Sequence, residues 1–168
     1  MRTLLWLFLI TLIPGLELRA SIPAGIFAEN IGASLPWWGI SLICYVANVL
    51  VGTLFFLLLD WIFAMARHIP PVQRFLEKYL KRSQKKLAPS VEKYGFWGLA
   101  IFIGIPLPLT GAYSGAIGAY ALGMKKRQFF LANLVGVAIA DVLVTGICLL
   151  VLAGFHIPGV DLFLKRGA

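Results

Sequence analysis

The sequence predicts an all-α integral membrane protein organised as an inverted repeat. Each repeat is a re-entrant broken helix followed by a long transmembrane helix, and a basic cytoplasmic amphipathic segment lies between them. Three observations carry this expectation. The chain of 168 residues is 60% hydrophobic and 13% charged, with a mean hydropathy of +0.89, far from the average of soluble domains. Two long apolar runs, 39–65 and 129–155, each follow a short apolar run that ends in prolines and glycines. The bases are concentrated between the two halves. One membrane domain is expected over 1–168, with repeat one at 3–66, the basic segment at 67–93 and repeat two at 94–155.

The run 3–13 is too short to cross a hydrocarbon core of about 30 Å at 1.5 Å per residue. Met1-Arg2 and the run after it resemble the charged and apolar regions of a signal peptide. Leu18-Arg19-Ala20 makes a poor cleavage site, so the segment is kept in the fold. Extending the run adds Pro14, Glu17, Arg19 and Pro23. A charge near the bilayer centre costs about 2.5–3.5 kcal/mol, and a leucine offsets only about 0.3–0.6. A half-helix, a break at Pro14-Gly15 and a returning half-helix over 22–33 fit better, with Pro14 and Pro23 as structural breaks. Irregular backbone is tolerated at membrane depth where protein or a wet cavity satisfies it.

Leu35-Pro36-Trp37-Trp38 reads as an interfacial anchor. The run 39–65 then spans with some tilt, carrying Asn48 and Gly52 on one face and Asp60 in its last third. The segment 67–93 holds Arg67, Arg74, Lys78, Lys81, Arg82, Lys85, Lys86 and Lys93 against Glu77 and Glu92. Phe75, Leu76, Tyr79 and Leu80 recur at helical spacing, so part of it is expected as an interfacial amphipathic helix. It either does topological work alone or binds anionic lipid headgroups at Arg74, Lys78, Lys81 and Arg82.

The second half repeats the anomaly. Run 96–105 is followed by Pro106-Leu107-Pro108-Leu109-Thr110-Gly111 and a glycine-rich return to Lys125-Lys126-Arg127. About thirty residues between two basic clusters leave almost no room for two spans and a turn. The run 129–155 spans, with Asn133, Gly136 and a mid-span Asp141. The basic segment and the Lys125-Lys126-Arg127 cluster hold eleven of the fifteen bases, which places both inside. Opposed broken segments followed by spans form the plan of many secondary transporters.

The stretches Gly15-Leu16-Glu17-Leu18-Arg19-Ala20-Ser21-Ile22-Pro23 and Ile105-Pro106-Leu107-Pro108-Leu109-Thr110-Gly111-Ala112-Tyr113-Ser114-Gly115 resemble those of the small multidrug export proteins. The likeness runs from about residue 14 to about residue 152. That family is similar to the DedA and VTT-domain membrane proteins. The resemblance implies two facing re-entrant segments and movement of a lipid or polyprenyl phosphate carrier. It singles out Glu17, Arg19 and Pro23 in the first motif, and Pro106, Pro108, Thr110 and Gly111 in the second. The chain departs from DedA proteins in having no paired arginine motif beside its second break, and 96–124 holds no charge.

Several residues are candidates for chemistry. A carboxylate balanced between burial and a neighbouring guanidinium can load and release a proton, so Glu17 either couples protons or substrate or holds the break as an ion pair with Arg19. Arg19 suits a phosphate or carboxylate through bidentate bonds, or serves as the counter-ion of Glu17. Asp141 is expected to face the interior with a functional role; Asp60 is open between function and snorkelling or capping. Thr110, Gly111 and Ser114 offer donors to an anion or simply let helices approach. Asn48 and Asn133 read as interhelical bonds. Cys44 and Cys148 read as packing, and His68 and His156 carry no assignment.

No nucleophile elbow, zinc-protease motif, phosphate loop or Cys/His cluster is present in the sequence. The expected function is a multi-pass cell-membrane transporter or flippase, proton-coupled, for a lipid-linked phosphate or small amphiphile. No enzyme activity, cofactor, metal or nucleic-acid partner is expected. The alternatives are a small multidrug exporter and a non-transporting scaffold that forms a homo-oligomer through the faces of Asn48/Gly52 and Asn133/Gly136.

Overall fold

The computed structural model describes residues 2–27, 35–66, 70–106 and 110–154. Seven helices run through them: α1 Arg2–Leu12, α2 Glu17–Phe27, α3 Trp37–Ala66, α4 Pro70–Tyr94, α5 Phe96–Gly104, α6 Ala112–Ala121 and α7 Lys126–Leu152. No strand occurs among the described residues. Pro108, Arg67, His68, His156, the segment 28–34 and the tail from 155 lie outside them, as do the side chains of Phe75, Leu76 and Tyr79.

The two long helices have 30 and 27 residues. At 1.5 Å per residue each is about 40 Å or longer, more than a hydrocarbon core needs. Their surfaces are inverted relative to a soluble helix. On α3, Leu42, Val46, Leu50, Leu54, Leu58, Trp61 and Met65 are exposed, while Asn48 is buried. On α7, Leu134, Val142, Leu143, Ile147 and Leu150 are exposed while Asn133 and Thr145 are buried. Apolar outside and polar inside is the arrangement lipid favours, because lipid cannot satisfy a polar group.

The four short helices have 11, 11, 9 and 10 residues, about half a crossing each. They come in two pairs, α1/α2 and α5/α6, and each pair precedes a long helix. The first break carries Pro14 and Gly15; the second carries Pro106. The returning helix of the first pair begins at Glu17, five residues earlier than expected, and Pro23 lies inside it. Packing carries the helix through. Leu18, Ser21, Ile22 and Gly25 are buried, and Gly25 packs so closely on Ile40 and Leu7 that a Cβ would meet both. That packing offsets the one backbone bond Pro23 forfeits.

The basic segment is also more structured than its sequence suggests. α4 is continuous over 25 residues, through Pro89. Arg74, Lys78, Lys81, Arg82 and Lys85 are exposed. Its opposite face buries Ser83 and Leu87, and Leu87 packs on Gly118 of α6. The segment is therefore part of the packed body. Where α3, α6 and α7 converge near Lys126, Phe56 stacks on Phe129 with ring centroids 4.2 Å apart, and Phe63 stacks on Tyr120 at 5.4 Å.

Candidate functional site

A broken helix in a membrane exposes N–H and C=O groups that lipid cannot satisfy. In this chain the helix ends at the two breaks satisfy each other. Glu17, 2% exposed, sends its carboxylate to the N-terminus of α6. Oε2 accepts from the backbone N–H of Ala112 at 3.1 Å, and Oε1 from that of Tyr113 at 3.4 Å. Asn48 of α3 adds a third donor, Nδ2 to Oε2 at 3.4 Å.

Arg19, half-buried, does the complementary work at the other side of the second break. Its Nη1 donates to the Thr110 carbonyl at 2.7 Å. Its Nη2 donates to the carbonyls of Ile105 and Ile103 at 2.9 and 3.3 Å, and to Thr110 Oγ1 at 3.1 Å. The Thr110 hydroxyl itself donates to the Ile105 carbonyl at 2.7 Å. The signs agree with the helix dipoles: an anion at the N-terminus of α6 and a cation at the C-terminus of α5. Tyr113 returns the favour across the junction, its hydroxyl donating to the Leu12 carbonyl at the end of α1 at 2.7 Å.

Two backbone positions are held in unusual conformations here. Glu17 has φ 50, a left-handed value that a non-glycine residue adopts at some strain. Its three hydrogen bonds hold it there. Gly111 caps α6 with φ 121 and ψ −170. A Cβ on it would lie 2.5 Å from Glu17 Oε2 and 2.8 Å from Oε1, so only glycine lets the carboxylate reach the helix end.

The floor of the junction is made by the small and amide residues of the long helices. Asn133 Nδ2 donates to the Val49 carbonyl at 3.1 Å and to Thr53 Oγ1 at 3.3 Å. A Cβ at Gly52 would meet Ala112 and Asn133, and one at Gly136 would meet the Ala100 carbonyl and Ile103. The faces of Asn48/Gly52 and Asn133/Gly136 are thus consumed inside the chain. They are contacts between its own helices.

The structure brings Glu17, Arg19, Thr110 and Gly111 together and leaves Asp141 and Asp60 at other depths. Asp141 accepts a bond from Ser41 Oγ at 2.7 Å. Ser41 is seven residues before Asn48 on α3, about 10 Å along the axis. Asp60 accepts a bond from the Tyr120 hydroxyl at 2.8 Å, twelve residues beyond Asn48, about 18 Å along the same axis. Along its length α3 thus spaces three polar levels, Asp141 at Ser41, Glu17 at Asn48 and Asp60 with Tyr120. Among the breaks, Pro14 and Pro106 flank the junction, whereas Pro23 is within α2.

Three contributors were missed from sequence. Tyr113 stood inside the second motif, but nothing marked its hydroxyl as a cap for α1. Asn48, which the sequence marks only as an interhelical bond, donates to Glu17. Ser41 bonds Asp141, and a hydroxyl early in an apolar span is the sequence signal for such a partner.

Two long helices with lipid-compatible surfaces, and breaks whose charged groups cap helix ends inside the fold, fit an all-helical membrane protein. Residues 17–143 match the family described as "Putative small multi-drug export protein", and the chain belongs to that family. The match begins at Glu17, just after the first break, and takes in the second break and Asp141. No curated protein and no solved structure matches the chain.

Proposed function

We propose that this protein is a multi-pass transporter of the cell membrane that exports small amphiphiles, its two broken helices forming the re-entrant segments of an inverted repeat. The observation that supports the reading is the reciprocal capping: Glu17 on the N-terminus of α6 and Arg19 on the C-terminus of α5. Discontinuous helices whose ends meet inside a membrane are where transporters bind substrates and ions. Membership of an export family supports the same direction of inference.

Within the amphiphiles, a lipid-linked phosphate is the proposed substrate. The guanidinium fork of Arg19 matches a phosphate bidentately, and Thr110 stands beside it. A phosphate that takes over the fork releases the carbonyls of Ile103, Ile105 and Thr110. Binding then loosens the second break, which couples substrate to movement. The similarity to DedA and VTT-domain proteins proposed from the paired breaks agrees with a lipid carrier. A proton gradient is the proposed driving force, and the activity is transport without covalent chemistry or a cofactor. The exposed bases Arg74, Lys78, Lys81 and Arg82 on α4 are the proposed contact with anionic headgroups.

Proteoliposomes test the reading with two probes, a fluorescent polyprenyl phosphate analogue and a cationic dye. Uptake of the analogue that falls at least tenfold in Arg19→Gln, with helicity unchanged, supports the phosphate assignment. Dye movement that ignores Arg19 favours the drug-export reading of the family description. Movement of neither probe refutes export of these amphiphiles. Topology is tested with single cysteines at Ser34 and Lys125: labelling of both from one side refutes the inverted arrangement.

A further inference from the structure

We propose that Asp141 is a proton-loading site, separate from the junction of the broken helices, which exchanges one proton with water during each cycle. The proposal rests on the transport reading and assigns its driving ion to a residue. Asp141 lies within α7, well inside its ends. Its Oδ2 accepts from Ser41 Oγ at 2.7 Å, while its Oδ1 is buried without a hydrogen-bond partner among the described residues. One turn further along the same face, Thr145 is 6% exposed, and its Oγ1 is likewise buried without a partner there.

No lysine or arginine pairs with Asp141 among the described residues. An uncompensated carboxylate with one bare oxygen is expensive inside a span. A single proton removes both costs. It cancels the charge, and it turns Oδ1 into a donor, for which Thr145 Oγ1, four residues along the helix and itself without a partner among the described residues, is a candidate acceptor. Ser41 donates to Oδ2 in either state, so the group keeps its place when the proton leaves. Loading takes the proton from hydronium and leaves water; release reverses this on the opposite face.

The surrounding elements offer no competing acid at this level. α3 brings Cys44 and Tyr45, and the Tyr45 hydroxyl donates to the Leu134 carbonyl at 3.3 Å. α2 carries Glu17 and Arg19, both engaged at the break. α5 has no titratable residue, and α6 has Tyr113 and Tyr120. α7 itself carries Lys126 and Arg127 at its first turn and Cys148 two turns beyond Asp141.

The test is infrared difference spectroscopy of the full chain in lipid vesicles, titrated from about pH 5 to about pH 9. The C=O stretch of a protonated carboxyl is the readout. The expected result is a titrating band that is lost in Asp141→Asn and kept in Glu17→Gln. A band that survives Asp141→Asn, or the absence of any titrating band in the parent chain, overturns the proposal. Loss of the band on adding sodium chloride at fixed pH, with choline chloride inert, assigns the site to sodium and also overturns it. Should Asp141→Asn fail to fold, Asp141→Glu decides: a band displaced in frequency supports the assignment and an unmoved one refutes it. Probe transport without a titrating band leaves the exporter reading standing and sinks this one; a titrating Asp141 without transport does the reverse.

Discussion

Replacing Gly111 by alanine puts a methyl group where the two breaks touch. The cost can be worked from two parts. The first is the backbone: φ 121 with ψ −170 is a region that L residues occupy at about 1–3 kcal/mol. The second is the contact. The new Cβ would stand 2.5 Å from Glu17 Oε2 and 2.8 Å from Oε1, so the carboxylate must withdraw. Withdrawal lengthens its bonds to the N–H groups of Ala112 and Tyr113 and uncaps α6. Hydrogen bonds to a charged group contribute about 1.5–3 kcal/mol. Together the two parts give about 2.5–6 kcal/mol, a large share of a typical total of about 5–15. For a chain of this size the melting temperature should fall by at least about 5 °C, measured by tryptophan fluorescence in detergent micelles or bicelles. Gly15→Ala is the control. It has φ 89 but nothing within 4 Å of its Cβ, so it carries the backbone cost alone. In a Glu17→Ala background Gly111→Ala should lose at least about 1 kcal/mol of its effect, because the clash is gone. Equal losses for Gly15→Ala and Gly111→Ala, together with strict additivity with Glu17→Ala, would refute the capping argument.

Other substitutions should separate the parts of the junction. Arg19→Lys keeps the charge but cannot span the carbonyls of Ile103, Ile105 and Thr110; a loss of about 1–3 kcal/mol is expected, and a melting temperature equal to the parent's would show that the fork is dispensable. Gly52→Leu should destabilise the single chain by driving α3 away from Ala112 and Asn133, with oligomer state by light scattering unchanged; a shift in oligomer state with stability intact would contradict the packing described. Leu87→Ala, at a side chain 0% exposed between α4 and α6, should cost about 2–5 kcal/mol and raise proteolysis of the basic segment; parent-like resistance would mean that α4 is held by its bases alone. Tyr113→Phe removes the donor to the Leu12 carbonyl and should cost about 0.5–1.5 kcal/mol, seen as faster hydrogen exchange at the end of α1; unchanged exchange there would deny the cap.

Much of the architecture was legible without coordinates. Hydropathy and length mark 39–65 and 129–155 as spans, because crossing a bilayer needs about twenty apolar residues whatever surrounds them. Proline and glycine mark the breaks at Pro14 and Pro106, since those residues interrupt a helix locally. Glu17 and Arg19 stood out for the same reason: a charge among apolar residues needs an explanation wherever it falls. Their chemistry was less legible. The sequence offered proton coupling or an ion pair for Glu17, and the coordinates give it the N-terminus of a helix that begins ninety-five residues later. Pro23 signals a break because its cost is local, while the packing of Gly25 on Leu7 and Ile40 that carries α2 through it is not.

What the sequence alone determined, then, is set by short-range rules: which segments are apolar for long enough, where the helix stops, and that the bases sit between the halves. What only the tertiary structure decided is which helix end meets which charge. Capping across the junction depends on the approach of α2, α3, α5 and α6 within hydrogen-bond distance, and on a glycine at position 111 that leaves room for a carboxylate. Such pairings join residues ninety positions apart, where no periodicity or spacing can record them.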